Sequence, residues 1–259
     1  MRFAGKYIAL VAGSVMLTAC MADVPPSRIA DYMGAPAKGA PEMPPPSSIQ
    51  AGLVVIPDTS APDAAPSLPD EGLQRMAESL SQEMNQSLPI RITKVIPPEG
   101  LRPIAGGDPD QFAEFGRKHG VDYLVVVVAS STEQEYPMMV FLGWTAHSQP
   151  GLRRDNWSLL ETAVVDVKAG QTLARAEGRG WATLDRPMAP GVNQWYPVVW
   201  LRPMEPSRRY WPPTYEGAAN TLRVIAMQDA SKRLILNLRQ AWSEKRQAAS
   251  SPDPVPARG

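Results

Sequence analysis

Apolar and polar positions change their spacing along the chain, and each change predicts an element of structure. An apolar run at 52–56 stops at Pro57 and predicts a first strand. From 70 to 87 the apolar positions recur every three or four residues, which predicts a helix with one apolar face. That face consists of Leu73, Met76, Ala77, Leu80 and Met84. A second strand is expected at 90–95, and a second helix is expected at 109–118.

The most apolar stretch of this region lies at 121–129. It contains five consecutive Leu and Val residues, a run typical of a central strand that is covered on both faces. Further strands are expected at 138–146 and 157–167, with a separating segment between them. The end of the latter strand is expected to pair with 172–182 across a turn in which Gly170 takes a positive φ.

Small residues occupy one face of the strand predicted at 172–182. They are Thr172, Ala174, Ala176, Gly178 and Gly180. A helix is expected to lie close over this face, or solvent is expected to meet the charged residues on the other. An apolar stripe from Val224 to Ala241 predicts a final helix at about 216–246. This order of elements predicts the fold class α/β (α+β), with a mixed sheet covered by helices in a single domain at 49–247.

The N-terminus has the three parts of an export signal. Arg2 and Lys6 are basic, an apolar segment follows at 7–17, and small residues come next. The tetrapeptide Leu17, Thr18, Ala19 and Cys20 resembles the lipobox of bacterial lipoproteins. The resemblance implies cleavage between Ala19 and Cys20, a diacylglyceryl group on the thiol and an acylated new amino terminus. The alternative is an ordinary signal peptide with a cysteine at this position by chance.

Met21 bears on the membrane to which such a lipoprotein is sorted. In the sorting pattern of Gram-negative lipoproteins, an Asp at this position favours the inner membrane, so the resemblance implies the periplasmic face of the outer membrane. Proline-rich composition extends beyond the signal and returns at the C-terminus. We therefore expect a cleaved signal peptide at 1–19, a lipidated Pro-rich tether at 20–48 and a disordered tail at 248–259.

Charge and cysteine content exclude several classes of function. The chain without residues 1–19 carries 24 basic and 26 acidic residues, so there is no broad basic field for nucleic acid. Cys20 is the only cysteine, and its acylation would leave no thiol for disulfides or thiolate metal sites.

The two histidines, His119 and His147, lie 28 positions apart and form no metal-binding or catalytic motif. No Gly-x-Ser-x-Gly elbow accompanies them. His119 fits a helix end, where the dipole favours a cation, and His147 fits a loop. We therefore predict a non-enzymatic protein without cofactor or metal.

Two short motifs resemble those of a known family. They are residues 120–125, Gly-Val-Asp-Tyr-Leu-Val, and residues 165–173 across the predicted hairpin. With the order of elements, they resemble the periplasmic α/β domain of the curli secretion-channel lipoprotein family and the amino-terminal domain of the Tol-system propeller protein. The curli family inserts membrane hairpins after the central strand and after the hairpin strand. This chain has insertions at the corresponding places, 130–157 and 183–216.

The segment 195–215, which we call the aromatic strip, combines Trp and Tyr with prolines. Its prolines favour an extended conformation, and its rings suit a protein interface or a lipid headgroup layer. The candidate contact residues are Trp195, Tyr196, Trp200, Arg202, Arg208, Arg209, Tyr210 and Trp211. The alternative is that these rings fold back and cover the sheet.

These features predict an interaction or assembly factor of the cell envelope, held to the membrane by its lipid and contacting envelope proteins through the aromatic strip. Two alternatives remain open: an oligomeric secretion pore resembling the curli channel, and a cell-wall glycan binder. A homo-oligomer is compatible with each. The apolar residues at 138–146 do not alternate, and prolines interrupt the second insertion, which disfavours membrane-crossing strands.

Overall fold

The computed structural model describes residues 25–35, 45–104, 106–140, 148–188, 198–200, 209–210 and 217–250. The signal peptide, Cys20 and the segment 251–259 lie outside these residues. The elements are α1 (Ile29–Met33), β1 (Ile49–Asp58), α2 (Asp70–Ser87), β2 (Ile90–Ile96), α3 (Asp110–His119), β3 (Tyr123–Val140), β4 (Gln149–Asp166), β5 (Gln171–Pro187), β6 (Val198–Trp200), β7 (Arg209–Tyr210) and α4 (Ala218–Ser250).

One seven-stranded sheet organises these elements, in the order β2-β1-β3-β4-β5-β6-β7. Strand β1 runs parallel to both of its neighbours, and all pairings from β3 to β7 are antiparallel. The predicted fold class, an α/β single domain with a mixed sheet covered by helices, is confirmed.

The central strand is covered on both faces, as predicted. Val125 and Val127 face a core built with α2 and α4. Leu124, Val126 and Val128 face a second core built with α1 and α3. Residues 124–128 are fully buried because both sides of β3 lie under helices.

The predicted hairpin between β4 and β5 is also confirmed. Gly170 has a φ of 66°, and its N–H donates to the carbonyl of Asp166 at 2.9 Å. The Asp166 carboxylate accepts the N–H of Ala169 at 2.9 Å, so the turn is fixed by backbone and side chain together.

The small face of β5 lies directly under the last helix. This is the first of the two predicted arrangements, in which a helix covers the small residues closely. A Cβ added to Gly178 would lie 2.1 Å from the carbonyl oxygen of Ala230, and one added to Gly180 would lie 2.0 Å from that of Ala226. Glycine at these positions lets α4 approach the sheet closely.

Strands β3 and β4 are longer than predicted, because residues of the expected insertion at 130–157 continue both strands beyond the end of β1. Both have 18 residues, and their pairing continues without interruption from Tyr123 opposite Asp166 to Val140 opposite Gln149. The segment 149–154, predicted to separate two strands, is part of β4. The predicted second insertion likewise begins within a strand, because β5 continues to Pro187. We call the paired segments 130–140, 149–159 and 179–187 the ribbon.

Residues 25–35, which we call the strap, are not part of a semi-extended tether. They contain α1, whose Ile29, Tyr32 and Met33 are buried in the core beside α3. The predicted tether over 20–48 is therefore wrong for this segment, because its few apolar residues find a face of the sheet to cover. At the other end, α4 continues to Ser250 and includes the first residues of the predicted tail.

Candidate functional site

The strap is fixed to the sheet by one buried carboxylate. Glu161 of β4 is 3% exposed. It accepts the N–H groups of Arg28 at 2.6 Å and Ile29 at 3.1 Å, and the hydroxyl of Ser27 at 2.5 Å. Three donors from one segment compensate the burial of this charge, so the strap has a specific seat on β4.

A second attachment joins the strap to the end of β1. Arg28 donates to Asp58 at 3.2 Å, and Asp58 also accepts the N–H and hydroxyl of Ser60 at 2.8 and 2.5 Å. Burial acts to raise the pKa of Asp58, but the hydrogen bonds from Ser60 and Arg28 outweigh it and hold this pKa below its ordinary value. Burial raises the pKa of the neighbouring Tyr32 phenol, and Asp58 adds to this effect.

The lowered pKa of Asp58 predicts a pH dependence of stability. The folded state favours the carboxylate, so its contribution is present above the unfolded pKa of about 4 and is lost as the pH falls toward the folded value. We expect Asp58→Asn to lower the free energy of unfolding at pH 7 and to lose less stability than the wild type on acidification. Urea unfolding at neutral and acidic pH measures both effects.

Asp63→Asn serves as the control for this comparison, because Asp63 is exposed in the loop after β1. Parallel pH profiles for wild type and Asp58→Asn would contradict the role of this carboxylate.

A cavity of about 370 Å³ lies beside the strap, at the carboxyl end of β1. Ligands of open α/β sheets bind at such an edge. The lining polar groups of Tyr32, Asp58 and Ser60 are engaged with one another or with Arg28, and Arg102 is exposed at the rim. This arrangement serves primarily to join the strap to β1.

Ionised side chains on the ribbon face the last helix. Arg223 of α4 donates to both oxygens of Glu133, at 2.7 and 3.0 Å. Next along the ribbon, Arg154 contacts Glu135 at 2.9 Å, and Arg186 contacts the same carboxylate. The bidentate pair holds the base of the ribbon against α4.

The opposite face of the ribbon carries a second polar network. Arg153 forms two hydrogen bonds with the buried Asp185, at 2.7 and 2.8 Å. Asp155 accepts the hydroxyls of Tyr136 at 2.7 Å and Thr183 at 2.6 Å. Burial and the hydrogen bond to Asp155 raise the pKa of Tyr136 to about 12. Three strands are thus tied together by charged groups on both faces.

The aromatic strip contributes the outermost strands of the sheet. Strand β6 pairs with β5 through Val198, Val199 and Trp200, and Val198 and Val199 are fully buried. Strand β7 pairs with β6, which places Arg209 opposite Trp200 and Tyr210 opposite Val199. Tyr210 is 37% exposed. The remaining candidate contact residues, Trp195, Tyr196, Arg202, Arg208 and Trp211, lie outside the described residues.

Sequence reasoning missed a pair of tryptophans on the ribbon. Trp157 of β4 and Trp181 of β5 are direct cross-strand partners. Trp157 is half-buried, and Trp181 is 37% exposed. Counting outward from the turn at Gly170 places these residues within one position of each other, and the bulge between Val164 and Val165 supplies the remaining shift. The pairing of the two tryptophans could therefore have been inferred from the hairpin register.

The described residues hold no group of three or more His, Cys, Asp or Glu side chains that could bind a metal ion. His119 ends α3 as predicted, and its ring packs on Phe115 with centroids 4.5 Å apart. His147 lies outside the described residues. In the part of the chain that the structure describes, the helices lack the combination of length and apolar character needed to span a membrane.

No protein-family model matches the chain, and no curated protein sequence matches it. Among solved structures, it is similar to a protein from Helicobacter pylori described as a neuraminyllactose-binding hemagglutinin homolog, with 10% identity, coverage of 83% of this chain and 96% of that chain, and a TM-score of 0.37. It is similar to the PelC dodecamer from Paraburkholderia phytofirmans, with 12% identity, coverage of 77% and 94%, and a TM-score of 0.30.

A third similar structure is the lipoprotein GNA1162 from Neisseria meningitidis, with 14% identity, coverage of 51% of this chain and 82% of that chain, and a TM-score of 0.30. The solved structures similar to this chain thus include a bacterial lipoprotein. The similarities concern the arrangement of strands and helices. The resemblance to the curli secretion-channel lipoproteins stays a prediction.

Proposed function

We propose that this chain is a non-enzymatic, lipid-anchored interaction or assembly factor on the periplasmic face of the outer membrane. The observation that carries the proposal is the position of the aromatic strip at the edge of the sheet, with Tyr210 exposed on its last described strand. An outer strand offers unpaired backbone groups beside its side chains, and both can bind a partner. Envelope proteins are the expected partners.

The proposed anchor is Cys20, and its support is the lipobox resemblance. Two or more acyl chains on this residue would make membrane attachment effectively permanent without a spanning helix. Met21 favours the outer membrane. The strap then connects this anchor to the sheet through Glu161.

Cys20→Ser is expected to abolish acylation and to leave the precursor uncleaved, because Cys20 carries the only thiol in the chain. Metabolic labelling with a palmitate analogue and the mass of the purified protein measure both effects. Incorporation of the label into the Cys20→Ser protein would exclude the proposed anchor.

The contact role of the aromatic strip is tested by a photocrosslinking amino acid at position 210 in whole cells. We expect an adduct with another envelope protein that is absent with the same probe at Leu236, an exposed position on α4. Replacing Trp195, Trp200 and Trp211 together by Ala should remove the adduct and shift the melting temperature by only a degree or two.

Two results would count against this role. An adduct that survives the triple replacement would show that the strip does not bind the partner. Loss of folding in the triple variant would show that the rings cover the core, because each buried Trp contributes about 3–5 kcal/mol.

A secretion pore is the second candidate, and the length of the ribbon is the observation that favours it. Strands exposed to lipid need one apolar face, whereas the ribbon carries Glu135 and Arg154 on one face and Arg153 and Asp185 on the other. These charges support the interaction factor over the pore. Stepwise conductance of the purified protein in planar bilayers would instead favour the pore.

A further inference from the structure

The tryptophan pair lies on the same face of the sheet as the strap. Along β4, residues 157, 159 and 161 point to one face, and β5 places Trp181, Arg179 and Glu177 directly opposite them. Glu161 binds the strap on this face. Trp157 lies four positions from Glu161 along the extended strand, a distance of about 14 Å. The exposed side chains of Arg179 and Trp181 are therefore close to the place where the strap reaches the sheet.

The proposed lipid is attached a short distance before the strap. Pro25 follows Cys20 by five positions, a length of chain that spans at most about 18 Å. A tether extending to residue 48 could have spanned up to about 100 Å by the same measure. Because the strap is docked, the face that carries Glu161 stays within one short segment of the acylated residue.

We propose that the face formed by Trp157, Trp181 and Arg179 is a membrane-docking surface, which rests in the lipid headgroup layer of the bilayer that holds the acyl chains of Cys20. The proposal deepens the proposed function and rests on its lipid anchor. The occupant of this surface is the lipid headgroup layer, because the chain length between Cys20 and the strap leaves the bilayer close to this face.

The chemistry of the surface fits that occupant. Tryptophan is enriched at membrane interfaces, where its ring contacts the apolar boundary and its N–H remains hydrated. Arg179 lies two positions from Trp181 on the same face of β5, and it forms an exposed ion pair with Glu177 at 3.0 Å. The two charges neutralise each other, so the contact requires no anionic lipid. The other face of β5 cannot serve, because Gly178 and Gly180 lie against α4.

The absence of a second cysteine permits a direct test on the acylated protein. Gln134→Cys places a single free thiol on the docking face, since residue 134 of β3 is exposed and has the same orientation as Val126 and Val128. Leu236→Cys places one on the outer surface of α4, where Leu236 is 63% exposed. Each protein is labelled with an environment-sensitive fluorophore and reconstituted into phosphatidylcholine vesicles that contain spin-labelled quencher lipid.

We expect the fluorophore at position 134 to be quenched severalfold more strongly than the one at position 236. Trp181→Ala should reduce the quenching at position 134 while the circular dichroism spectrum stays unchanged. Equal quenching at the two positions, or no effect of Trp181→Ala in a folded protein, would overturn the docking surface.

The anchor is assessed separately by the mass of each protein before reconstitution. Acylated protein without preferential quenching at position 134 would refute the docking surface and leave the lipid anchor intact. Protein without acyl groups would refute the anchor, and with it the basis of this inference.

Discussion

Val126→Asp is expected to unfold the protein. Val126 is fully buried in the central strand, between Val54 of β1 and Ala163 of β4. Its side chain belongs to the core that contains Phe112 and Ile29, so a carboxylate at this position would lie among buried apolar groups. The cost of several kcal/mol approaches the whole stability of a typical domain.

Urea unfolding of the acylated protein in mild detergent, followed by circular dichroism, measures this effect. Val95→Asp provides the matched control, because Val95 is 36% exposed on the outer strand β2. We expect the control to change the free energy of unfolding by no more than about 0.5 kcal/mol. Equal stabilities for the two variants would contradict the burial of β3 on both faces.

Gly180→Ala should have the second largest effect, although it adds a single methyl group. The new Cβ would lie 2.0 Å from the carbonyl oxygen of Ala226 and 2.5 Å from the nitrogen of Ala230. Both atoms belong to the backbone of α4, so the helix itself must move away from β5. Overpacking of this kind costs about 1–3 kcal/mol, and a backbone obstacle places the expected loss at or above the upper end.

The same substitution at Gly72 is expected to act in the opposite direction. Gly72 lies in α2, and a Cβ there would meet only ordinary contacts, at 3.5 Å or more. Alanine favours the helix over glycine by about 1 kcal/mol, so Gly72→Ala should raise the melting temperature. If Gly180→Ala proved as stable as Gly72→Ala, the close packing of α4 on β5 would be incorrect.

Elements with a regular local pattern could be predicted from the sequence. The helix expected at 70–87 is α2, Asp70–Ser87, because its apolar face and its Pro and Asp residues define it locally. The small face of β5 predicted either a covering helix or a solvated charged face opposite, and the contacts of Gly178 and Gly180 with α4 confirm the covering helix. In each case the decisive information lies within a few residues of the element itself.

The strap and the ribbon could not be predicted in this way. The strap is rich in small residues and proline, and it is hydrogen-bonded to Glu161, which is 134 positions from Ser27. The ribbon continues through charged residues that would end a strand in water. Glu135 is accommodated there because Arg154 stands directly opposite and Arg186 reaches it from β5. The pairing of a charged residue with an opposite charge on the next strand can be recognised only when the strand register is known.

Of the two candidate surfaces, one could be predicted from local sequence and the other could not. The composition of the aromatic strip revealed a surface of interest, and its Tyr210 is exposed. The sequence does not indicate directly that Trp157 and Trp181 are neighbours, since 24 positions separate them. Their pairing follows from a register that a single bulge displaces by one residue.

The distance in sequence between the strap and Glu161, to which it binds, also sets an order of events during export. Under the proposed route the N-terminus crosses the inner membrane first, and Glu161 follows more than a hundred residues later. Until then the strap has no docking site on the sheet. Docking of the strap then shortens the path from lipid to sheet. Under the proposed route, the domain is therefore drawn to the bilayer only once its fourth strand has arrived.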